Sequence, residues 1–183
     1  MSELEALKKV LPKVGRGLEI GVGTGRFASA LRITMGIDPS YAMMELAIER
    51  GVNVRRGVGE DLPFFENTFD YAAIIITLCF VKDPVKVLKE AGRVLKKNGR
   101  ITVGIIDKDS FLGEFYQRKK SIFYKQANFF GVKELVNLLK AAEFSRFIYY
   151  QTVFHPPEKI NLIEKPKKGF GKGGFVVISG EKR

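Results

Sequence analysis

The feature that most restricts the fold is a turn with glycines at three alternate positions, Gly21, Gly23 and Gly25. It joins the apolar strand candidate Gly17–Gly21 to the helix candidate Thr24–Leu31. Glycine adopts positive φ without a steric penalty and lets a ligand approach the backbone closely. The stretch therefore predicts a strand–turn–helix unit with a ligand lying against the turn.

Strand and helix patterns alternate along the rest of the chain. The further strand candidates are Thr34–Asp38, Val52–Arg56, Phe69–Thr77 and Arg100–Ile106, and the further helix candidates are Tyr41–Arg50, Pro84–Leu95 and Gly131–Ala142. Asp83 precedes Pro84 as an N-cap, and the Asn-Gly pair inside Lys96–Arg100 is expected to stop that helix. The alternation favours right-handed βαβ units and a parallel sheet covered on both faces.

We expect one domain over residues 1–183, because this length suits a single core. Residues 107–130 break the alternation and follow the fifth strand. They are predicted to form an inserted lid over the ligand. Two strand candidates, Phe147–Phe154 and Gly174–Gly180, flank a Pro/Gly/Lys-rich loop. They predict a β-hairpin over 147–180 at one edge of the sheet.

Composition sets limits on location and partners. The lone Cys79 excludes an internal disulfide, and neither it nor the lone His155 can build a metal site, so no metal is expected. The longest apolar run, Tyr71 to Val81, is too short to span a bilayer, so we expect a cytoplasmic protein. Residues 1–75 carry 9 basic and 10 acidic side chains, whereas 76–183 carry 22 and 10. The basic half raises the prospect of an anionic partner such as RNA.

The spacing of the glycine turn narrows the ligand. A dinucleotide site reads G-x-G-x-x-G, but Arg26 stands at the sixth position, and the chain has no triphosphate loop. Glu19 precedes the glycines, where its carboxylate would repel a pyrophosphate. These features favour a cofactor that is cationic or zwitterionic at this turn, and S-adenosylmethionine fits.

Acids that follow the next two strands support this interpretation. Asp38 ends the second strand, where a carboxylate can accept hydrogen bonds from both ribose hydroxyls. Asp61 follows the third strand and can accept from the adenine amino group, with Leu62 and Phe64 against the ring. Since the carboxyl ends of parallel strands share one edge of the sheet, these acids are expected to meet there.

The stretches "LEIGVGTGRFA", "GIDPS", "GEDLPFFENTFD" and "VLKEAGRVLKKNGRITVGI" resemble the successive motifs of class I S-adenosylmethionine-dependent methyltransferases, most closely the type 11 group. The resemblance implies an α/β fold, a Rossmann-like doubly wound sheet of seven mostly parallel strands with an antiparallel last strand. It also implies that S-adenosyl-L-methionine is bound and S-adenosyl-L-homocysteine released. The cofactor-binding residues that it indicates are Glu19, Gly21, Gly23, Gly25, Asp38, Met43, Glu60, Asp61 and Thr77.

The sequence does not decide the identity of the methyl acceptor. Aromatic residues of the lid suit a cationic amine, and basic residues beside them suit an anion; the aromatics are Phe111, Phe115, Tyr116, Phe123 and Tyr124, and the bases are Arg118, Lys119, Lys120 and Lys125. His155, Tyr116 and Tyr124 are weak candidates for a catalytic base. We expect a small-molecule acceptor, whether methylated on N, O or C. The alternatives are an RNA methyltransferase and a non-catalytic cofactor-binding subunit, and a homo-oligomer is also compatible.

Overall fold

A computed structural model describes residues 1–119, 124, 126–156 and 162–183. These residues form one sheet of eight strands in the order β3-β2-β1-β4-β5-β8-β6-β7. The strands are β1 Gly17–Ile20, β2 Met35–Asp38, β3 Asn53–Arg56, β4 Phe69–Ile75, β5 Leu95–Ile106, β6 Phe144–Thr152, β7 Lys167–Lys168 and β8 Phe175–Lys182. The first five strands pair in parallel, and β8 runs antiparallel to both β5 and β6.

Helices within the described residues cover both faces of the sheet. They are α1 Ser2–Leu7, α2 Arg26–Leu31, α3 Tyr41–Glu49, α4 Pro84–Val94, α5 Phe111–Arg118 and α6 Val132–Ala141, with a 3₁₀ turn at Leu78–Phe80. Asp83 caps α4 as predicted, because its Oδ1 accepts a hydrogen bond of 2.9 Å from the Lys86 amide. Helix α1 lies in a segment for which the sequence predicted no element, and it packs against β6 and β8.

The α/β class and the doubly wound, mostly parallel sheet are confirmed, but the strand count is not seven. The two-residue strand β7 lies in the stretch predicted as a loop and pairs with Tyr150 and Gln151 of β6. Strand β8 is inserted between β5 and β6, so the last strand of the chain is internal to the sheet. Main-chain pairing of this kind leaves no local sequence signal.

The predicted start of the fifth strand at Arg100 is wrong. Strand β5 begins at Leu95, directly after α4, and Leu95 pairs with Phe69 of β4. Pairing resumes at Arg100 opposite Tyr71, so the intervening residues of β5 bulge out of the ladder. Asn98 takes a φ of 61° in that bulge. The Asn-Gly pair therefore shapes a bulge inside a strand instead of separating a helix from a strand.

The carboxyl end of β4 also differs from the prediction. The strand stops at Ile75 because Ile76 has a φ of 53°, which turns the chain out of the ladder. Thr77, predicted as the last residue of the strand, folds back toward the glycine turn after β1. The break thus brings two strand ends together at one edge of the sheet.

Two apolar clusters enclose the sheet. On one face, Leu18 and Ile20 of β1 pack with residues of α4 and α6, and on the other face Ala73 and Ile75 of β4 pack with residues of α1 and α2. The alternation of side chains along each strand divides the residues between these clusters. The central strands β1 and β4 are therefore buried on both faces, whereas β3 and β7 are largely exposed.

Phe69 is a test of the first cluster. Its side chain is fully buried, with Phe64 edge-on at 5.0 Å and the Arg16 guanidinium 5.0 Å above the ring. We expect Phe69→Ala to lower the free energy of unfolding by about 3–5 kcal/mol, because it removes buried area and leaves a cavity. Phe65→Ala is the matched control, since Phe65 is 89% exposed. Urea denaturation checks both, and equal losses in the two variants would contradict this assignment of the core.

Candidate functional site

The three glycines of the turn after β1 all have positive φ, but for different reasons. A Cβ on Gly21 (φ 72°) would collide with Thr77, and one on Gly25 (φ 74°) would lie 2.9 Å from Ala47 of α3. Gly23 (φ 52°) differs, because a Cβ there would meet no atom within 4 Å. Gly21 and Gly25 therefore allow close packing within the protein, while Gly23 is the glycine of the turn that is open to a ligand.

Thr77 holds the start of the turn. Its hydroxyl lies 3.0 Å from the carbonyl oxygen of Gly21 and 3.1 Å from that of Ile75, and it donates to this pair of acceptors. The contact joins the ends of β1 and β4. Thr77 thus has a structural role at the site besides any contact with a ligand.

Asp38 holds the middle of the turn from the end of β2. Its Oδ2 accepts a hydrogen bond of 2.9 Å from the Gly23 amide, and its Oδ1 accepts one of 2.9 Å from the Ser40 amide. The side chain is 8% exposed. An ionised carboxylate has about four acceptor positions, so each oxygen can still accept a further hydrogen bond. Asp38 is therefore both oriented and able to accept from a ligand.

Glu19 lies beneath the turn and not on its surface. Its side chain is 1% exposed, the Ala28 amide donates to its carboxyl group, and Oε2 has no hydrogen-bond partner among the described residues. Burial raises the pKa of Glu19 to about 8, against the lowering effect of the Ala28 hydrogen bond. At neutral pH the acid is mostly protonated. The prediction that a charged Glu19 repels a pyrophosphate is thus not supported. Only the spacing of the glycines then argues against a dinucleotide ligand.

The acids after β3 are in different environments. Asp61 is exposed, and its amide pairs with Val58, whose apolar side chain is 45% exposed beside it. Glu60 Oε1 accepts from the amides of Lys82 (3.0 Å) and Asp83 (3.3 Å), so it holds the loop before α4. Asp61 is consequently the acid whose carboxylate is open to a ligand.

Three apolar residues named by the sequence divide between core and surface. Leu62 is 3% exposed and belongs to the core cluster of α4, so it has no face free for an adenine ring, whereas Phe64 is half-buried and packs edge-on against Phe69. Met43 of α3 is 42% exposed and is not a core residue. Of these three residues, Met43 is therefore the most exposed.

Within residues 107–130, where the sequence predicted a lid, the described residues bring two tyrosines together. The rings of Tyr116 in α5 and Tyr124 lie 4.7 Å apart, and their hydroxyls share a hydrogen bond. Burial, and then Tyr116, raise the pKa of Tyr124. The Asn128 amide donates to the carbonyl of Cys79 at 2.8 Å, which attaches the end of this segment beside Thr77. Of the residues predicted for the lid, Lys120, Phe123 and Lys125 lie outside the described residues.

His155 has a partner that the sequence did not indicate. Its Nδ1 pairs with Oε1 of Glu164, and its side chain is 67% exposed. Glu164 Oε2 accepts from the Phe154 amide at 2.6 Å, and the Glu164 amide donates to the Ser2 hydroxyl at 2.9 Å. Glu164 stands nine residues after His155 in a lysine-rich stretch with no recognisable motif, so only the fold brings the pair together.

The Cys79 thiol, metal-binding clusters and membrane-spanning helices are the remaining features to consider. Burial raises the pKa of the Cys79 thiol to about 11, so it is not a ready nucleophile. Within the described ranges, no three histidine, cysteine or acidic side chains are grouped as a metal site requires. In the same residues, no helix has the length and apolar character to cross a bilayer.

Comparisons with known proteins agree with this geometry. A family model described as a methyltransferase domain matches residues 18–103. The crystal structure of a Thermotoga maritima protein, an S-adenosylmethionine-dependent methyltransferase and possible histamine N-methyltransferase, has a TM-score of 0.97 and 50% identity, covering 100% of this chain and 88% of that one.

Two proteins with similar sequences align with almost the whole of this chain. An uncharacterized protein of Methanocaldococcus jannaschii is 50% identical over 99% of this chain and 88% of its own length. A demethylmenaquinone methyltransferase of Staphylococcus aureus is 33% identical over 93% of this chain and 74% of its own length. The similarity therefore extends beyond residues 18–103 to the lid and the last strands.

The buried Glu19 predicts a specific pH dependence of stability. Its pKa of about 8 in the folded protein lies above its ordinary value of 4.5, so the folded state binds this proton more tightly than the unfolded state does. Its contribution to the free energy of unfolding should fall as pH rises from about 5 to about 8, by at most about 1.4 kcal/mol per pH unit, and then level off. Glu19→Gln should remove this fall.

Urea denaturation of wild type and Glu19→Gln between pH 5 and 9 measures the effect as a difference. Other groups titrate equally in both proteins and cancel. Glu49→Gln is the control, because Glu49 is exposed at the end of α3. A constant difference between wild type and Glu19→Gln over this pH range would show that Glu19 is ionised throughout.

Proposed function

Because the chain belongs to the class I S-adenosylmethionine-dependent methyltransferases, we propose that it transfers the methyl group to a small-molecule acceptor. The observation that supports the cofactor assignment is the environment of Gly23. A Cβ on Gly23 would meet no atom within 4 Å, and its amide donates a hydrogen bond to Asp38. A substrate would thus be placed at the edge where β1, β2 and β4 end.

Asp38 is proposed to bind the ribose. Two amides already fix its carboxylate, and each oxygen has capacity for a hydroxyl donor. Because the same side chain holds Gly23, its loss would disturb both the ribose contact and the turn. Among the acids of the site, Asp38 would therefore contribute most to cofactor affinity.

The adenine is proposed to lie against Val58 and Met43, with its amino group donating to Asp61. Exposed apolar side chains of this kind are what a planar base can cover. Glu60 is proposed to support the adenine site indirectly, because its hydrogen bonds to the amides of Lys82 and Asp83 fix the loop before α4. Gly25 contributes by allowing the close approach of α3.

The methionine end is proposed to lie over Gly21 and Thr77, above the buried Glu19. A cation close to a carboxyl group favours its ionised form. The Glu19 proton would consequently be held less tightly when the cofactor's positive groups are near. Its unpartnered Oε2 is the atom available for that interaction.

S-adenosylmethionine supplies a methyl group that its sulfonium already activates. The protein's share of the reaction is then to orient an acceptor behind that group, and good orientation is worth up to about 7–11 kcal/mol. A general base is needed only when the acceptor must lose a proton. Tyr116 and Tyr124 are proposed for contact with the acceptor, and His155, oriented by Glu164, is the remaining candidate for a base.

An RNA acceptor is the second candidate, and the observation that favours it is the excess of basic residues in 76–183. The name of the Thermotoga maritima relative favours a small amine instead. The sequence also has "TLCF" after β4, where N6-adenine methyltransferases have an Asn or Asp followed by two prolines and an aromatic residue.

Gly23→Ala tests the cofactor assignment against a matched control, Gly51→Ala. Both glycines have positive φ (52° and 80°), and a Cβ on either meets no atom within 4 Å. Both variants should lose a similar, small amount of stability, on the order of 1 kcal/mol. We expect only Gly23→Ala to lose affinity for S-adenosyl-L-homocysteine, by tenfold or more, in titration calorimetry. Equal affinities in the two variants would place the cofactor elsewhere.

The class of acceptor is tested by measuring release of S-adenosyl-L-homocysteine. We expect turnover with small amines or phenols, and a rate that changes little between 50 and 300 mM salt. An RNA substrate would instead be bound through phosphates, so its affinity would fall steeply with salt. Methylation of RNA with that salt dependence, and none of any small molecule, would reverse the order of the two candidates.

A further inference from the structure

Lys119, just after α5, has its ammonium group among three aromatic rings. Its Nζ lies 5.8 Å from the ring centroid of Phe115, 5.9 Å from that of Tyr116 and 6.0 Å from that of Tyr124. The ring of Tyr116 lies 5.4 Å from Phe115 and 4.7 Å from Tyr124, so the three rings form one cluster. Aromatic faces attract a cation within about 6 Å, and several of them together make a recognition site for ammonium groups.

Ion pairing does not explain the position of Lys119. Among the residues that the structure describes, no carboxylate pairs with Lys119, whereas the neighbouring Arg118 pairs with Glu114 at 3.3 Å. The aromatic and basic residues of the lid, which suggested opposite acceptors, are thus not independent features. Of the two bases that the structure describes, Arg118 pairs with Glu114 and Lys119 lies over the aromatic cluster.

The cluster lies beside the proposed cofactor site. Tyr124 is near enough to the Cys79 thiol for the two to interact electrostatically, and Asn128 is hydrogen-bonded to the Cys79 carbonyl. Cys79 stands two residues after Thr77, whose hydroxyl contacts Gly21 of the turn. A group bound at the cluster is therefore close to where the methyl group would be presented.

The cluster is also accessible. Phe115 is 40% exposed, Tyr116 and Tyr124 are half-buried, and Lys119 itself is exposed. The lysine side chain is long and flexible, so it can leave the rings without a change in the backbone. An external ammonium group can then take its place.

We propose that the cluster of Phe115, Tyr116 and Tyr124 is the acceptor subsite, that it recognises an amine through its ammonium group, and that Lys119 occupies it until the amine displaces it. The inference rests on the proposed function and specifies its acceptor class. It makes Lys119 a competitor of the substrate and not a binding residue.

The charge changes of N-methylation suit this subsite. The amine releases a proton to solvent or to a base, and its nitrogen lone pair then forms the new bond to carbon as the sulfur–carbon bond breaks. The electron pair of that bond stays on sulfur, which becomes a neutral thioether. Positive charge therefore passes from sulfur to nitrogen, and the ring faces stabilise it there.

Lys119→Gln tests the competition, with Lys133→Gln as the control. Lys133 is an exposed lysine of α6 and not part of the cluster, and both changes remove one positive charge. The probes are choline and its neutral isostere 3,3-dimethyl-1-butanol, titrated by ligand-observed NMR into protein saturated with S-adenosyl-L-homocysteine. We expect Lys119→Gln to bind choline about fivefold more tightly than wild type and Lys133→Gln to match wild type. The neutral isostere should bind each protein at least tenfold more weakly.

Phe115→Leu, added to Lys119→Gln, removes one ring face but keeps an apolar side chain at a partly exposed position. It should weaken choline binding about threefold without changing the melting temperature. Equal choline affinity in the Lys119→Gln and Lys133→Gln variants, or equal binding of the two probes, would overturn the inference. Calorimetry with S-adenosyl-L-homocysteine on the same samples separates the two claims. If the protein binds S-adenosyl-L-homocysteine but the choline test fails, the amine subsite alone is overturned. If it does not bind S-adenosyl-L-homocysteine, the proposed function is overturned.

Discussion

The hydrogen bond between the Gly23 amide and the Asp38 carboxylate is the interaction on which the site depends. It ties the turn after β1 to the end of β2, and the Thr77 hydroxyl ties the same turn to the end of β4. Gly21 and Gly25 let the turn sit tightly against Thr77 and Ala47. With both neighbours in contact, the open face of Gly23 has a defined position at the edge of the sheet.

This arrangement has an energetic cost that the ligand is suited to offset. Glu19 is buried under the turn with one oxygen unpartnered, and burial raises its pKa to about 8. A buried carboxyl group of this kind destabilises the folded protein at high pH. In the proposed function, a cationic group above the turn would offset that penalty, and cofactor binding would then stabilise the site.

In the described part of residues 107–130, the structure relates two sequence features that conflicted. Aromatic and basic residues share one segment, and from composition alone they indicate ligands of opposite charge. Arg118 lies beside Glu114 and Lys119 lies over three rings, so these two described bases each have a partner within the protein. The proposed amine subsite uses the aromatic rings that remain.

Local patterns were enough to predict the alternating α/β architecture, the glycine turn, the cap at Asp83 and the acids after β2 and β3, because each depends on periodicity or on turn chemistry between near neighbours. The early start of β5 at Leu95, the insertion of β8 beside it and the burial of Leu62 were not predictable in this way. The pairing of Glu164 with His155 and the break at Ile76 that brings Thr77 to Gly21 were equally hidden. All of these depend on contacts between segments far apart in the chain, which form only when the whole sheet assembles.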